Sequence, residues 1–281
     1  MDALALTDHG VMSGVVKFYR QAKKRGIKPI LGCEIYVAPG DRRDRSPTGG
    51  KRFYHLVLLA ENEKGYRNLL QIVSRSHTEG FYYRPRADRE ILRQYSEGLI
   101  ALSACESGLI PRLLQAGRRD AAVEAAIDLR DTFGESNFYI EIQHHGTDRD
   151  ARIREQLIEL ARSLDLPLVA TNDVHYLTPE DRLAHEVLLN IRANKTLHDP
   201  DHRAFDGEGF YFRSGKEMET LFADVPEAIA NTRSIADRCN VELDFGQMMI
   251  PTFDLPDGED ANAFLRKLAY EGAEQRYGEI T

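Results

Sequence analysis

An α/β fold, either a barrel or a doubly wound sheet, is predicted by three features of the sequence. Short apolar runs bounded by turn residues recur along the first two thirds of the chain, helical patterns fall between them, and most runs are almost unbroken in apolar residues. The runs lie at 3–8, 29–38, 54–60, 99–104, 138–143 and 167–173. Within them, 56–59 reads Leu-Val-Leu-Leu and 99–102 reads Leu-Ile-Ala-Leu. Neither leaves a polar face, as expected of strands covered by protein on both sides, so parallel strands joined by helices are expected. The clearest helix spans 149–165, where Ile153, Leu157, Leu160, Ala161 and Leu164 share one face.

Beyond residue 178 the alternation stops. Helical patterns at 179–193, 215–222 and 226–239 precede an extended stretch with two prolines at 249–255 and a helix from 259 to about 277. This predicts a barrel over 1–178, a helical extension over 179–245 packed on it, and a connector over 246–281. The chain opens directly on a strand and closes without a terminal element, so both ends read as cut. The loop 39–52 (PGDRRDRSPTGGKR) has no aliphatic side chain beyond its prolines. It reads as a solvated insertion, or alternatively as a phosphate-contacting arm built from Arg42, Arg43, Arg45, Lys51 and Arg52.

Composition narrows the function. With 37 Lys and Arg against 45 Asp and Glu, the 281-residue chain carries a net charge of −8. A generally basic nucleic-acid binder is excluded, so any DNA contact needs a local patch. Cys33, Cys105 and Cys239 are odd in number and far apart, which makes no disulfide framework and points to a cytoplasmic location. No run approaches the roughly 18 apolar residues of a membrane span. Motifs of the forms GxxxxGK[ST], GxGxxG and GxSxG are absent. Asp199-Pro-Asp201 has the spacing of a paired-Asp site for two magnesium ions but sits in a polar loop.

The informative pattern is where His, Asp, Glu and Cys fall relative to the strands. Asp8 and His9 end the first, Glu34 lies in the second, His55 starts the third, Cys105 follows the fourth, Glu141, His144 and His145 end the fifth, and Asp173 and His175 end the sixth. Strand ends of an α/β barrel gather into one mouth, and these side chains are the ones that hold zinc, manganese or iron. A lone His or Cys beside a strand is more often a packed core or surface residue. The Asp173-x-His175 pair is a stronger signal, because alternate residues of an extended segment point the same way. His77, His185, His198 and His202 lie away from strand ends and read as structural or solvated.

Seven strings carry a resemblance: TDHG at 7–10, PILGCEIYVAP at 29–39, FYHLVLLAENEKGYRNLL at 53–70, GFYYRPRAD at 80–88, LIALSACESG at 99–108, YIEIQHHG at 139–146 and VATNDVHYL at 169–177. Together they resemble the PHP (polymerase and histidinol phosphatase) domain of bacterial replicative DNA polymerase III α subunits, and 250–278 is similar to the segment that joins this domain to the polymerase palm. The resemblance implies a distorted (β/α)7 barrel with a metal cluster at the strand ends. By motif, His9, Glu34, His55, Cys105, Asp173 and His175 match metal-ligand positions, and His145 is a weaker seventh. It further implies two or three zinc or manganese ions in an intact domain and magnesium for a palm beyond Thr281. As partners it implies DNA, the rest of the polymerase chain, a proofreading exonuclease and a sliding clamp. The family's upstream strand with an H-x-H motif has no counterpart before His9, so the metal shell is expected to be partial. The implied activity is metal-dependent phosphodiester hydrolysis of the 3′–5′ exonuclease type, or a structural role for the metals. The alternatives are a stand-alone phosphoesterase acting on a small ester such as histidinol phosphate, and a catalytically silent scaffold.

Overall fold

A computed structural model describes residues 1–45, 53–246, 253–256 and 258–279. Among the described residues, eight strands form one mixed sheet: β1 (Ala3–Leu6), β2 (Lys28–Val37), β3 (Tyr54–Ala60), β4 (Phe81–Tyr82), β5 (Arg84–Ala87), β6 (Leu99–Leu102), β7 (Phe138–Ile142) and β8 (Leu168–Ala170). The spatial order is β4-β5-β2-β3-β6-β7-β8, with β1 paired to the first half of β2. This is the mixed, helix-flanked sheet of a distorted (β/α) barrel. The helices that flank it are α1 (Val15–Lys24), α2 (Glu63–Thr78), α3 (Arg89–Gln94), α4 (Leu109–Gln115), α5 (Arg119–Phe133) and α6 (Asp148–Ser163).

Two features depart from the sequence expectation. The strands are not all parallel: β3 runs antiparallel to both β2 and β6. Apolar runs covered on both faces report burial and carry no information on direction, so β3 could not be told from its neighbours by composition. The strands β4 and β5 were also not expected, because Phe81-Tyr82-Tyr83-Arg84-Pro85-Arg86 lacks an apolar run. Their backbone pairing follows from Tyr83, which at φ 60° turns the chain back on itself.

The inward face of each strand alternates with a period of two, and its lower part is core. Ile30, Val57, Leu59, Ile100, Leu102, Tyr139 and Val169 pack together and are closed off by Ile235, Ala236 and Cys239 at the end of helix α9 (Pro226–Arg238). Continuing along each strand in the same parity leads from Ile30 to Glu34, from Leu59 through Val57 to His55, from Tyr139 to Glu141, and from Val169 to Asp173. The fold therefore fills one end of the barrel with hydrocarbon and the other with ionisable groups. Helices α7 (Arg182–Ala193), α8 (Gly215–Leu221) and α9 belong to the same compact unit, Met1–Glu242. The second unit, Leu243–Thr281, contains α10 (Ala261–Tyr277), whose N-terminus is capped by the Asp260 carboxylate accepting from the backbone N–H of Asn262 and Ala263.

Within the loop 39–52 only residues up to Arg45 are described, and Lys51 and Arg52 lie outside the described residues. Arg42 is neither solvated nor an arm for phosphate. Its side chain is 1% exposed and ion-paired with Asp88 at 2.8 Å, Glu79 at 2.5 Å and Glu90 at 2.7 Å. A loop of polar composition can still bury one residue when three carboxylates surround it.

Candidate metal centre

The first wall of the site is built by β1, β2 and β3. Beyond β1 the chain stays in parallel register with β2, with His9 bridged to Glu34 and the Gly10 N–H donating to the Glu34 carbonyl at 2.9 Å. Gly10 is needed there: its φ is +67°, and a Cβ would stand 2.9 Å from the Tyr36 ring. His55 pairs across the antiparallel ladder with Tyr36, which makes Glu34 its diagonal neighbour on the same face. The contacts follow. His55 Nδ1 lies 2.6 Å from Glu34 Oε1, and His9 Nδ1 lies 3.5 Å from Glu34 Oε2. Among the described residues, His9, Glu34 and His55 form a group whose donor atoms all lie within 4.8 Å of one another.

Cys105 completes this wall. Its Sγ is 3.8 Å from His55 Nδ1 and 3.9 Å from Glu34 Oε1. The turn after β6 aims it inward: Ala104 sits at φ 65°, a left-handed conformation that few alanines adopt, and the Gly108 N–H closes the turn on the Cys105 carbonyl at 2.8 Å. The His55 N–H donates to the Ser107 carbonyl at 3.1 Å, tying the turn to β3. A Cβ on Gly108 would fall 2.2 Å from the Ser103 carbonyl oxygen. Gly108→Ala is expected to cost about 1–3 kcal/mol by forcing this turn apart. Thermal unfolding of the variant measures it, and an unchanged midpoint would contradict the packing described.

The opposite wall comes from the segment after β8. Asp173 Oδ1 and His175 Nε2 are 3.2 Å apart, as the alternating spacing requires. Backbone pairing holds this segment, with the His175 N–H donating to the Phe210 carbonyl at 2.8 Å, and the Phe205 ring stands edge-on to His175 at 4.5 Å. His185, read as remote from the site, packs against His175 at 5.3 Å between ring centroids. On the same cavity stands His145, 6% exposed, stacked on Phe210 at 4.2 Å. Its backbone N–H donates to Asp150 Oδ2 at 2.9 Å, and its Nδ1 is 3.5 Å from the same oxygen.

One cavity of about 370 Å³ is lined by His9, His55, Cys105, His145, Asp173 and His175, with Glu34 hydrogen-bonded beneath. The structure thus brings all seven sequence-identified residues to one mouth, six lining the cavity and Glu34 bonded to His55. His144 is not among the lining residues. Three groups that sequence reasoning did not select also belong here: Asp150, which holds His145, Glu141 on β7, and Gln143 immediately after it. Strand parity was the available signal, since 141, 143 and 145 share one face and 144 takes the other.

The electrostatics are those of a site built for cations. Burial, then the charges of Glu34 and Asp173, push the Cys105 thiol far above its ordinary value. Burial pushes the Glu141 carboxyl up to about 7, and Glu34 and Asp173 add to the rise. Burial alone would lift Asp173 too, but the hydrogen bond from His175 and the charges of His175, His145 and His9 hold it below the usual carboxylate range. Three residues that line the cavity each have a buried atom with no hydrogen-bond partner: Glu141 Oε2, His145 Nε2 and Arg154 Nε. Imidazole, carboxylate and thiol donors facing one cavity, with orphaned donor atoms among them, fit a borderline divalent ion.

Comparison with known proteins agrees in kind. Residues 1–145 match the PHP domain family. The chain is similar to the DNA polymerase III subunit alpha of Treponema pallidum (strain Nichols), 45% identical over 282 residues, which covers 100% of this chain and 24% of the relative. The subunit of the same name from Borreliella burgdorferi is 42% identical, over 100% of this chain and 25% of the relative. That from Thermus aquaticus is 43% identical, over 98% and 23%. The chain spans about a quarter of the length of the curated relatives it matches. No helix among the described residues is long and apolar enough to cross a membrane.

Proposed function

Because this chain belongs to the PHP domain family, with residues 1–145 carrying the match, we propose that it is the PHP segment of a bacterial replicative DNA polymerase III α subunit and that its cavity hydrolyses phosphodiesters with bound divalent ions. The observation that carries the reading is the convergence of His9, Glu34, His55 and Cys105 on one wall with Asp173 and His175 on the other. Zinc or manganese suits a donor set that mixes imidazole, carboxylate and sulfur better than magnesium does. Divalent ions held there would supply electrophilic stabilisation of the leaving oxygen and lower the pKa of water.

The chain's own residues do the remaining work. Glu34 orients His55 through the 2.6 Å contact, and Asp150 holds His145 through its backbone N–H at 2.9 Å with Nδ1 3.5 Å away. Arg149 lines the cavity with half of its side chain exposed, placed to meet a substrate phosphate once it leaves Glu106. Phe205 and Phe210 give the cavity an apolar side against which a terminal nucleotide can rest. The barrel over 1–178, the helical extension over 179–245 and the connector over 246–281 fit such a segment, in the cytoplasm and next to DNA, a proofreading exonuclease and a sliding clamp. Template-directed synthesis with magnesium would belong to the part of the relatives that this chain does not match.

The test is 3′-labelled DNA, alongside a small phosphate monoester, incubated with the full chain and Mn2+ or Zn2+. Stepwise release of 3′ nucleotides that EDTA stops and metal restores is expected, with no primer extension. Turnover of the monoester alone would favour a small-ester phosphoesterase, and equal DNA hydrolysis with and without EDTA would contradict the metal reading.

A further inference from the structure

We propose that Glu141 is an additional cation ligand at the floor of the cavity, with Oε2 as its donor atom. This rests on the metal-centre reading above and extends it to a residue outside the TDHG, GCE, FYH, SAC and NDVH strings.

Glu141 lies on β7, one inward step beyond the core residue Tyr139, and is 3% exposed. Its Oε1 is fully used, accepting from the Thr171 hydroxyl and from Gln143 Nε2, the latter at 3.0 Å. The strand is fixed in turn, since the Glu141 N–H donates to the Ser103 hydroxyl at 2.9 Å. These contacts hold the carboxylate rigidly, yet Oε2 is buried without any partner, and Glu141 lines the same cavity as His55, Cys105 and Asp173. Neither protonation state explains such an atom. Ionised, it is a buried charge with Glu34 and Asp173 near enough to disfavour it. Protonated, it is a buried hydroxyl with no acceptor. A divalent cation satisfies the free oxygen and offsets the neighbouring carboxylates, and the Thr171 and Gln143 bonds are then the outer contacts that orient a ligand. His145 Nε2, another orphaned atom on a residue lining the same cavity, has the same arrangement: one ring nitrogen near Asp150 and the other free.

The proposal is tested by calorimetric titration of the metal-free full chain with Mn2+ and, separately, Zn2+, for the wild type, Glu141→Gln, Glu141→Asp and Asp173→Asn. Wild type should bind saturably, and Glu141→Gln should lose one equivalent or bind about tenfold or more weakly. Its unfolding midpoint in EDTA should not fall, because a neutral amide keeps the Thr171 contact and removes the buried charge. Glu141→Asp retains the charge but withdraws the oxygen by one methylene. Weakened binding in this variant marks direct ligation, whereas wild-type affinity would show that only the charge acts and would overturn the proposal. It also serves if the Gln variant does not fold. Equal stoichiometry and affinity in wild type and Glu141→Gln, with Asp173→Asn impaired, overturns the role of Glu141 while leaving the metal centre standing. Absence of binding by the wild type overturns both.

Discussion

Replacing His55 by alanine is expected to lower the affinity of the chain for Mn2+ or Zn2+ by about a hundredfold or more, the upper end of what outer-contact losses alone produce. The ring is the hub of the first wall, 2.6 Å from Glu34, 3.8 Å from Cys105 Sγ and 5.2 Å between ring centroids from His9. Its removal takes one donor from the closest trio and strips Glu34, 8% exposed, of its nearest partner. Asp173→Ala and His175→Ala should show losses of similar size from the opposite wall. His144→Ala is the control. It follows the same strand but has the opposite parity, its side chain does not line the cavity, and its loss should leave affinity unchanged. Titration of the four variants checks the series. A His144 effect as large as that of His55 would mean that the cavity is not where the metal binds.

The largest effect on stability is expected at Arg42. Arg42→Met should lower the unfolding free energy by about 3–5 kcal/mol, because removing one partner from a buried ion network leaves the others uncompensated. Asp88 is 4% exposed and faces the guanidinium with both oxygens, at 3.0 and 2.8 Å, while also accepting the Arg42 N–H at 2.9 Å and the Ile91 N–H at 3.1 Å. Burial alone would raise its pKa, but these bonds outweigh burial and hold it below the ordinary 3.8. The sign of the linkage follows. With the folded value depressed, the contribution is fully present above about pH 4 and is lost as the pH falls through the lower folded value. Denaturant unfolding at pH 7 and at pH 3 should therefore show a large gap between wild type and variant at the higher pH and a smaller one at the lower. A gap independent of pH would assign the loss to packing of the Arg42 stem.

Much of this was legible in the sequence because the signals were local. Six apolar runs marked six of the eight strands, and the helical pattern at 149–165 anticipated α6, Asp148–Ser163. The site residues announced themselves as polar groups interrupting apolar strands, such as Glu34 in Ile-Leu-Gly-Cys-Glu-Ile. What was not legible depends on pairing. The direction of β3 is decided by which neighbour it hydrogen-bonds, and the hairpin of β4 and β5 is decided by backbone closure at Tyr83. Arg42 resembled its solvated neighbours Arg43 and Arg45 because the carboxylates that bury it come from residues 79, 88 and 90, up to 48 positions away. Glu141 stood in view among the strand-end groups. Applying the strand period of two to Tyr-Ile-Glu-Ile-Gln-His-His would have placed it on the cavity face with His145 and removed His144.

Anomalous diffraction at the manganese or zinc absorption edge, from crystals of the chain equilibrated with that ion, tests the metal centre most directly. The account predicts a peak inside the cavity, about 2.0–2.2 Å from imidazole nitrogens and carboxylate oxygens drawn from His9, Glu34 and His55, and a second near Asp173. A well-occupied ion bound elsewhere on the molecule, with no peak in the cavity at saturating metal, would contradict it.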